Sequence, residues 1–534
     1  MSPRTESARD DAVRRLSRLI DELGTDGGLI TPSVYDTARV ASLLPDRPHT
    51  GKMLRWLTSQ QRPDGGWGAP LTPLARDLPT LAAVLALTSY PAHRSAARRG
   101  ARFLQRHAPT HWGGPVPQDI PVGLELLLPA LLDEARAARV DAPTAPYEAL
   151  RTLGTRRRRL IARLAPHAPG TAAVHSWEAW GSPDAPLPVD GSTGIGHSPA
   201  ATATALSRAA YGAPTTDMLH GYLTRATAAC PPLMPTVWPI DVFERAWALH
   251  ALALAGLLHH PGLAPACARQ LDLLHASLTP VGIGMSDHFT ADGDITATTT
   301  AVLTLAGRPC DLGVLDRFRH HDHYRTYPGE LQPSLTTTAH AVHALATHAR
   351  LRPTHGPSRA AEPSRRYLAD RQQPDGRWTG DKWHTSWIYT TAQVVIALPH
   401  SPVPTAASKP SCAPRSPTAA GAPASRPPRA RPGTPSSLSP PTTWPAHRGP
   451  SPRPSTAPPT GSSAGRQPTS PAAAASGSAR SPTAPPAWTR PLPTRPSSPR
   501  PASPSPTATE STERRGHGYL SDRQVPPKGW PSAG

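Results

Sequence analysis

Two carboxyls one residue apart, Asp292 and Asp294, open an otherwise apolar segment running from Ile295 to Leu305. A carboxylic acid at the mouth of a greasy cavity keeps its proton at neutral pH, because burial disfavours the anion and a neighbouring carboxylate disfavours a second charge. Such an acid can protonate a base as weak as an alkene. The same residues also suit plain architecture, since Asp caps helices and Asp-Gly makes turns.

Other segments, far apart in sequence, weigh toward chemistry. Pro32-Ser33-Val34-Tyr35-Asp36-Thr37-Ala38 precedes Gln61-Arg62-Pro63-Asp64-Gly65-Gly66-Trp67. Trp238-Pro239-Ile240-Asp241-Val242-Phe243-Glu244-Arg245-Ala246-Trp247 and Pro333-Ser334-Leu335-Thr336-Thr337-Thr338-Ala339-His340 follow. A second tryptophan element, Gln373-Pro374-Asp375-Gly376-Arg377-Trp378, leads into Asp381-Lys382-Trp383-His384-Thr385-Ser386. This ordered set, spanning Leu29 to Leu398, resembles the class II diterpene cyclases, and its D-x-D form is similar to that of bacterial halimadienyl (tuberculosinyl) and copalyl diphosphate synthases.

The body reads as all-α. Val13, Leu16, Leu19, Ile20 and Leu23 recur at helical spacing, as do Leu78, Leu81, Val84 and Leu85, while alternating strand patterns are scarce. The two Asp-Gly-x-Trp elements each follow an apolar helix, Leu54 to Gln61 and Tyr367 to Gln373, a repeat that suggests helix hairpins arranged in α/α barrels. Their glycines permit a tight turn and their indoles can girdle a helix end. The resemblance implies two barrels, called γ and β, with D-x-D on the β side. The expected layout is an N-terminal helix in 1–24, a γ-type barrel in 25–265, an incomplete β-type barrel in 266–400 and a disordered tail in 401–534.

Roles follow from the resemblance. Asp294 matches the general acid that protonates the terminal alkene of geranylgeranyl diphosphate, and Asp292 a hydrogen-bonding partner that orients it and keeps it protonated. Ile295 departs from the family, which commonly has a further Asp there or, in the halimadienyl relatives, Thr. A migrating cation needs a dry pocket with aromatic faces, for which Trp238, Trp383, Trp387 and Tyr389 are the candidates. Arg245 and Lys382 are the candidate anchors for a diphosphate that this class does not ionise. The family usually adds Mg2+, yet Leu74 and Ala75 stand where relatives show an acidic pair, leaving Asp77 as a shifted substitute. The expected activity is that of an intramolecular lyase or isomerase, whose product is handed to a class I terpene synthase.

Charge and cysteine content exclude other classes. The net charge of +19 suggests nucleic acid until it is located: residues 401–534 hold 16 Lys and Arg against 3 acidic residues, a net of +13 that leaves +6 for the body. Cys230, Cys267, Cys310 and Cys412 form no C-x-x-C pair, which argues against zinc or a disulfide framework. His320-His321-Asp322-His323 lacks ligand spacing. No apolar run approaches the roughly 18 residues of a membrane span, the first 24 residues lack a signal peptide's apolar run, and the cytoplasm is the default compartment.

From Ser401 to about Arg515 the composition turns to Pro, Ser, Ala, Thr and Arg, with almost nothing to bury. Pro417-Thr418-Ala419-Ala420-Gly421-Ala422 becomes Asp-Gly-Gly-Trp-Gly when its codons are read two nucleotides out of register. Gly518 to Gln524 again looks like a late cyclase segment, so a frameshift after His400 is expected, with a natural Pro-rich tail as the alternative. Three functions compete on this reading: an active class II cyclase, an inactive frameshifted remnant, and a protein that binds an anionic surface or nucleic acid through its basic tail.

Overall fold

The computed structural model describes residues 3–398, apart from 118–119, 164–169, 183, 209–210, 329, 331, 353–360 and 385. The expected tail, its frameshift and Cys412 lie outside the described residues. Helices account for nearly all the regular structure, with one two-stranded hairpin pairing Arg319–His320 with His323–Tyr324. The histidine-rich segment forms this hairpin.

The first half contributes α1 (Pro3–Asp21), α2 (Val34–Leu43), α3 (Thr50–Ser59), α4 (Asp77–Thr88), α5 (Arg94–Trp112), α6 (Leu124–Ala137), α7 (Glu148–Arg163), α8 (Pro199–Arg208) and α9 (Ala213–Ala229). Five segments form a closed inner ring in the order α4, α2, α8, a short 3-10 helix at Ala172–Ala179, and α6. Helices α3, α5, α7 and α9 pack outside it. The second half contributes α10 (Asp241–Leu254), α11 (Ala264–Ser277), α12 (Gly293–Leu305), α13 (Leu335–Leu351), α14 (Ala361–Ala369) and α15 (Trp387–Ala397). Here α10, α12, α13 and α15 line up as an inner row, with α11 and α14 outside. Ile388 and Val395 on α15 stay 60% and 54% exposed, as an incomplete second barrel requires.

Separate apolar cores divide the body. One core runs from Tyr35 to Trp238, whereas the next joins Ile20 of α1 to Val242, Leu249, Leu271 and Val302. The N-terminal helix packs with the second core, and so does α10, which lies within 25–265, alongside α11. The break falls between Trp238 and Val242 because the apolar face of α10 turns toward α12.

The inner helices are buried on nearly every side: in α12 only Leu305 escapes full burial. Three of them, α8, α12 and α13, are rich in Ala and Thr, whose small side chains let neighbouring helices approach. Their hydroxyls find partners in the helix itself, as Thr304 donates to the Thr300 carbonyl at 2.7 Å and Thr338 to that of Ser334 at 2.7 Å.

The tryptophan repeats superimpose bond for bond. Trp67 Nε1 donates to the Leu57 carbonyl at 2.7 Å, and Trp378 Nε1 to that of Leu368 at 2.7 Å. Their backbone amides donate to the hydroxyls of Thr80 and Thr391. In the first, Gln61 Nε2 donates to the Gly65 and Ala96 carbonyls at 2.8 Å; in the second, Gln372, not Gln373, holds the Gly376 carbonyl. Each indole thus satisfies a carbonyl left over at the end of the preceding helix, which is the girdle role expected of it.

Where α6 and α7 cross, Gly154 lets two backbones meet: a Cβ there would lie 1.9 Å from the Glu125 carbonyl oxygen. Gly154→Ala should force the pair apart and destabilise the first barrel by about 1–3 kcal/mol. The expected readout is a lower thermal midpoint, while Gly114→Ala, where nothing lies within 4 Å, leaves it unchanged.

Candidate active site

Asp294 is delivered by the start of α12. Asp292 is its N-cap, and one of its carboxylate oxygens accepts from the amides of Asp294 at 2.7 Å and Ile295 at 2.9 Å. Gly293 is needed for close approach: its amide donates to the Thr326 carbonyl at 2.8 Å, and a Cβ would sit 2.5 Å from the Arg325 carbonyl. Asp292 therefore orients Asp294 through the backbone, by fixing the first turn. Burial and then the charge of Asp294 raise the pKa of Asp292 to about 7, while the Tyr327 hydroxyl and the capping amides favour its anion.

The partner of Asp294 is His340 on α13, whose Nδ1 lies 2.6 Å from Asp294 Oδ1. Both side chains are nearly inaccessible. Nε2 of the same ring meets Gln393 Oε1 on α15 at 2.9 Å, so three inner helices converge on one imidazole. Burial disfavours the charged ring, but the Asp294 carboxylate and the hydrogen bonds to Asp294 and Gln393 outweigh it, holding the His340 pKa above the usual histidine value. His250 and His343, 3.3 Å apart beside it, are driven by burial and then by the charge of His340 to about 3 and about 4, and stay neutral.

Aromatic rings wall this pair. Trp247 meets the His340 ring edge-on at 5.7 Å and stacks on Phe243 at 4.2 Å. Its Nε1 donates to the Tyr389 hydroxyl at 2.9 Å, and the Tyr389 ring lies 4.3 Å from that of His384. Tyr327 bonds Asp292 and sits 6.0 Å from Trp383, whose Nε1 donates to Thr326 at 2.7 Å. Asp381, quoted in the sequence only as part of a motif, locks the neighbouring turn by accepting from Ser334, the Thr336 amide and the Trp383 amide.

Of the residues singled out in the sequence, Asp294, Asp292, Trp383 and Tyr389 come together. Four others are committed elsewhere. Trp238 belongs to the first core, with Nε1 on the Asp26 carbonyl and its ring against Tyr222. Arg245 is held by Asp241 at 2.9 Å and Gln270 at 3.1 Å. Lys382 is buried, its ammonium between Glu330 at 2.7 Å and the Gln332 carbonyl at 2.8 Å. Trp387 is 40% exposed and carries the Arg377 guanidinium on its outer face. Aromatic or basic identity within a motif was the cue for all four, and it does not report which way a helix is turned. His340, Trp247 and His384 were overlooked inside those same motifs; a polar residue ending the Thr-Thr-Thr-Ala-His run was the available signal.

The segment considered for Mg2+ does not fit a metal. Asp77 is wholly buried, and its carboxylate takes Trp112 Nε1 at 2.8 Å, the Tyr147 hydroxyl at 2.9 Å and His111 Nδ1 at 3.1 Å. Those contacts use both of its oxygens, and Leu74 and Ala75 beside it offer no donors. Among the described residues no group of three or more His, Cys, Asp or Glu is placed to hold an ion, and no helix is long and apolar enough to cross a membrane.

No model of a known protein family matches the chain. It is 43% identical over 424 residues to the (+)-kolavenyl diphosphate synthase of Herpetosiphon aurantiacus, covering 74% of this chain and 79% of that one. Its fold is similar to the ent-copalyl diphosphate synthase from Streptomyces platensis, with a TM-score of 0.57 at 28% identity over 72% of this chain and 79% of that one. It is also similar to the Arabidopsis thaliana ent-copalyl diphosphate synthase in complex with (S)-15-aza-14,15-dihydrogeranylgeranyl thiolodiphosphate. That match has a TM-score of 0.58 at 24% identity over 70% of this chain, which spans 54% of the plant protein, and it bears on fold alone. With a relative of known activity matched at this identity over most of both chains, the protein belongs to the class II diterpene cyclases.

Proposed function

We propose that the protein cyclises geranylgeranyl diphosphate to a bicyclic diterpenyl diphosphate, with Asp294 donating the initiating proton to the terminal alkene. The observation that carries this is the 2.6 Å contact between Asp294 and His340 in a buried, aromatic-walled site. The products named for the relatives are diphosphates, in keeping with a reaction that leaves that group on the chain. A retained diphosphate is the leaving group that a class I terpene synthase ionises next.

The geometry says how many protons the pair must hold. A carbonyl oxygen only accepts, so with Gln393 Oε1 facing it, His340 Nε2 carries a hydrogen. The contact between Nδ1 and Oδ1 then shares a single proton, which faces the imidazole and not the substrate. Protonating an alkene needs a second proton, on the other oxygen of Asp294. An imidazolium at 2.6 Å stabilises the carboxylate left after transfer. On this reading Asp292 fixes the helix start, and His340 stabilises the carboxylate that transfer leaves behind. Phe243, Trp247, Tyr327, Trp383 and Tyr389 supply ring faces for the cation and exclude water from it.

Asp294→Asn keeps the shape and removes the carboxylic proton. Turnover should fall by at least roughly 10³-fold, toward the upper range for loss of a general acid, with little change in the thermal midpoint. Product is followed by gas chromatography after phosphatase treatment, and near-normal turnover in this variant would rule out Asp294 as the acid.

The pH dependence has a definite sign. Because the folded pKa of His340 is raised, its protonated form persists above the usual histidine range and is lost as pH rises through that raised value. Turnover should therefore hold on the acid side of that value and decline above it. In His340→Asn, kcat should fall by about 10²-fold and the declining limb should disappear, a change in profile that loss of packing alone would not produce.

A further inference from the structure

The body of the chain carries little net charge, yet one helix of the first barrel carries arginines with no acidic residue among them. Helix α5 holds five arginines, Arg94, Arg98, Arg99, Arg102 and Arg106, and no acidic residue. All five are exposed, while the opposite face, with Ala97, Phe103 and Leu104, is sealed into the first core. Arg94, Arg98 and Arg102 follow at i, i+4 and i+8, which sets three guanidiniums in a row about 12 Å long. None of the three has a side-chain partner among the described residues.

The row borders a surface pocket of about 460 Å3 lined by Pro63, Asp64, Gly65, Arg99, Arg102, Gln105 and Arg106, with Gln105 donating outward to Asp141 at 2.5 Å. Two of its arginines are pre-positioned by neutral groups: Arg106 donates to the Asp64 carbonyl at 3.0 Å, and Arg99 to Gln61 and Ser95. Asp64, the one acidic side chain in the lining, is neutralised by a two-pronged bond from Arg76 at 2.8 and 2.9 Å. The pocket thus gathers positive charge with nothing left to offset it, the condition for taking a phosphate oxygen.

The loop that walls the pocket carries a second, different feature. After Gly68 it runs Ala69-Pro70-Leu71-Thr72-Pro73-Leu74 without a charge, in a turn closed by Thr72 donating to the Ala69 carbonyl at 3.1 Å. Leu71 stands out from this turn 86% exposed. A basic pocket, with a protruding aliphatic residue on the loop that continues from its wall, suits the boundary between lipid headgroups and acyl chains. Nucleic acid suits it less well, because the aromatic residues of α5, Phe103 and Trp112, are buried and offer no ring for a base to stack on.

We propose that the α5 face is a docking surface for an anionic phospholipid membrane, with the arginine pocket taking headgroup phosphates and Leu71 entering the interface. The proposal rests on this surface alone and not on the cyclase reading, since binding is measured without turnover. Full-length protein is sedimented with phosphatidylglycerol-containing vesicles and with pure phosphatidylcholine vesicles. Binding is expected to the first only, and to weaken with salt. At roughly fivefold per arginine, the triple variant Arg94→Glu, Arg98→Glu and Arg102→Glu should bind on the order of 100-fold more weakly, and Leu71→Ser several-fold more weakly at unchanged charge. Both variants should keep wild-type turnover on detergent-dispersed substrate. Since both retain the basic residues beyond 400, unchanged vesicle binding in the triple variant would assign the interaction to that segment and overturn the proposal. Tighter binding of duplex DNA than of vesicles, abolished by the triple variant, would overturn it as well.

Discussion

Asp294 and His340 meet at 2.6 Å across the interface of α12 and α13, with Gln393 of α15 behind them. A contact of that length between two ionisable groups, out of reach of water, tolerates little relative movement of the helices that carry it. The rest of the second barrel can be understood as the means of holding it. Asp292 fixes the first turn of α12, and Ser334 with Asp381 fixes the first turn of α13. Both caps lie within one or two turns of the pair. Each also satisfies helix amides that would otherwise need water at the place where water has to be kept out.

The composition of the inner helices serves the same end. Leucine-rich inner helices would stand too far apart for an aspartate and a histidine to bond across them, whereas Ala and Thr bring the axes close. Buried threonines would normally demand partners, and returning the hydroxyl to the preceding turn answers that demand locally. The cost is helix propensity, since β-branched residues favour helices less than Ala or Leu. Packing on every side offsets it, as it cannot in an outer helix such as α5, which keeps the ordinary division between an apolar and a charged face.

This contrast explains what could be read from the chain before its structure. Outer or partly exposed helices such as α1 announced themselves by apolar residues at helical spacing, and the tryptophan repeats announced the hairpins. Helices α8, α12 and α13 have no such stripe, because a helix buried all round has no polar face to contrast with, and only the quoted motifs marked them. Asp294 was legible because Asp-Gly-Asp before an apolar run is an unusual pattern. Its partner was not, because Asp294 and His340 are separated by 46 positions and nothing local links them. The grouping of helices into cores was hidden for a related reason. Helix α1 docks on α11 across more than 200 residues of intervening barrel, a pairing that only tertiary packing decides.

The charged residues weighed in the sequence as ligands share one physical state. Arg245 is partly buried and Lys382 and Asp77 are buried, each with its charge or its hydrogen-bonding capacity already matched. A charge taken out of water must find partners before it can persist, so burial inside a folded barrel selects for side chains that are already engaged. The arginines of α5 are the opposite case: exposed, adjacent and unmatched, they cost little to keep and remain free to bind. In this chain a buried charge therefore more often marks architecture, and Asp294 stands out because its partner, His340, is itself titratable.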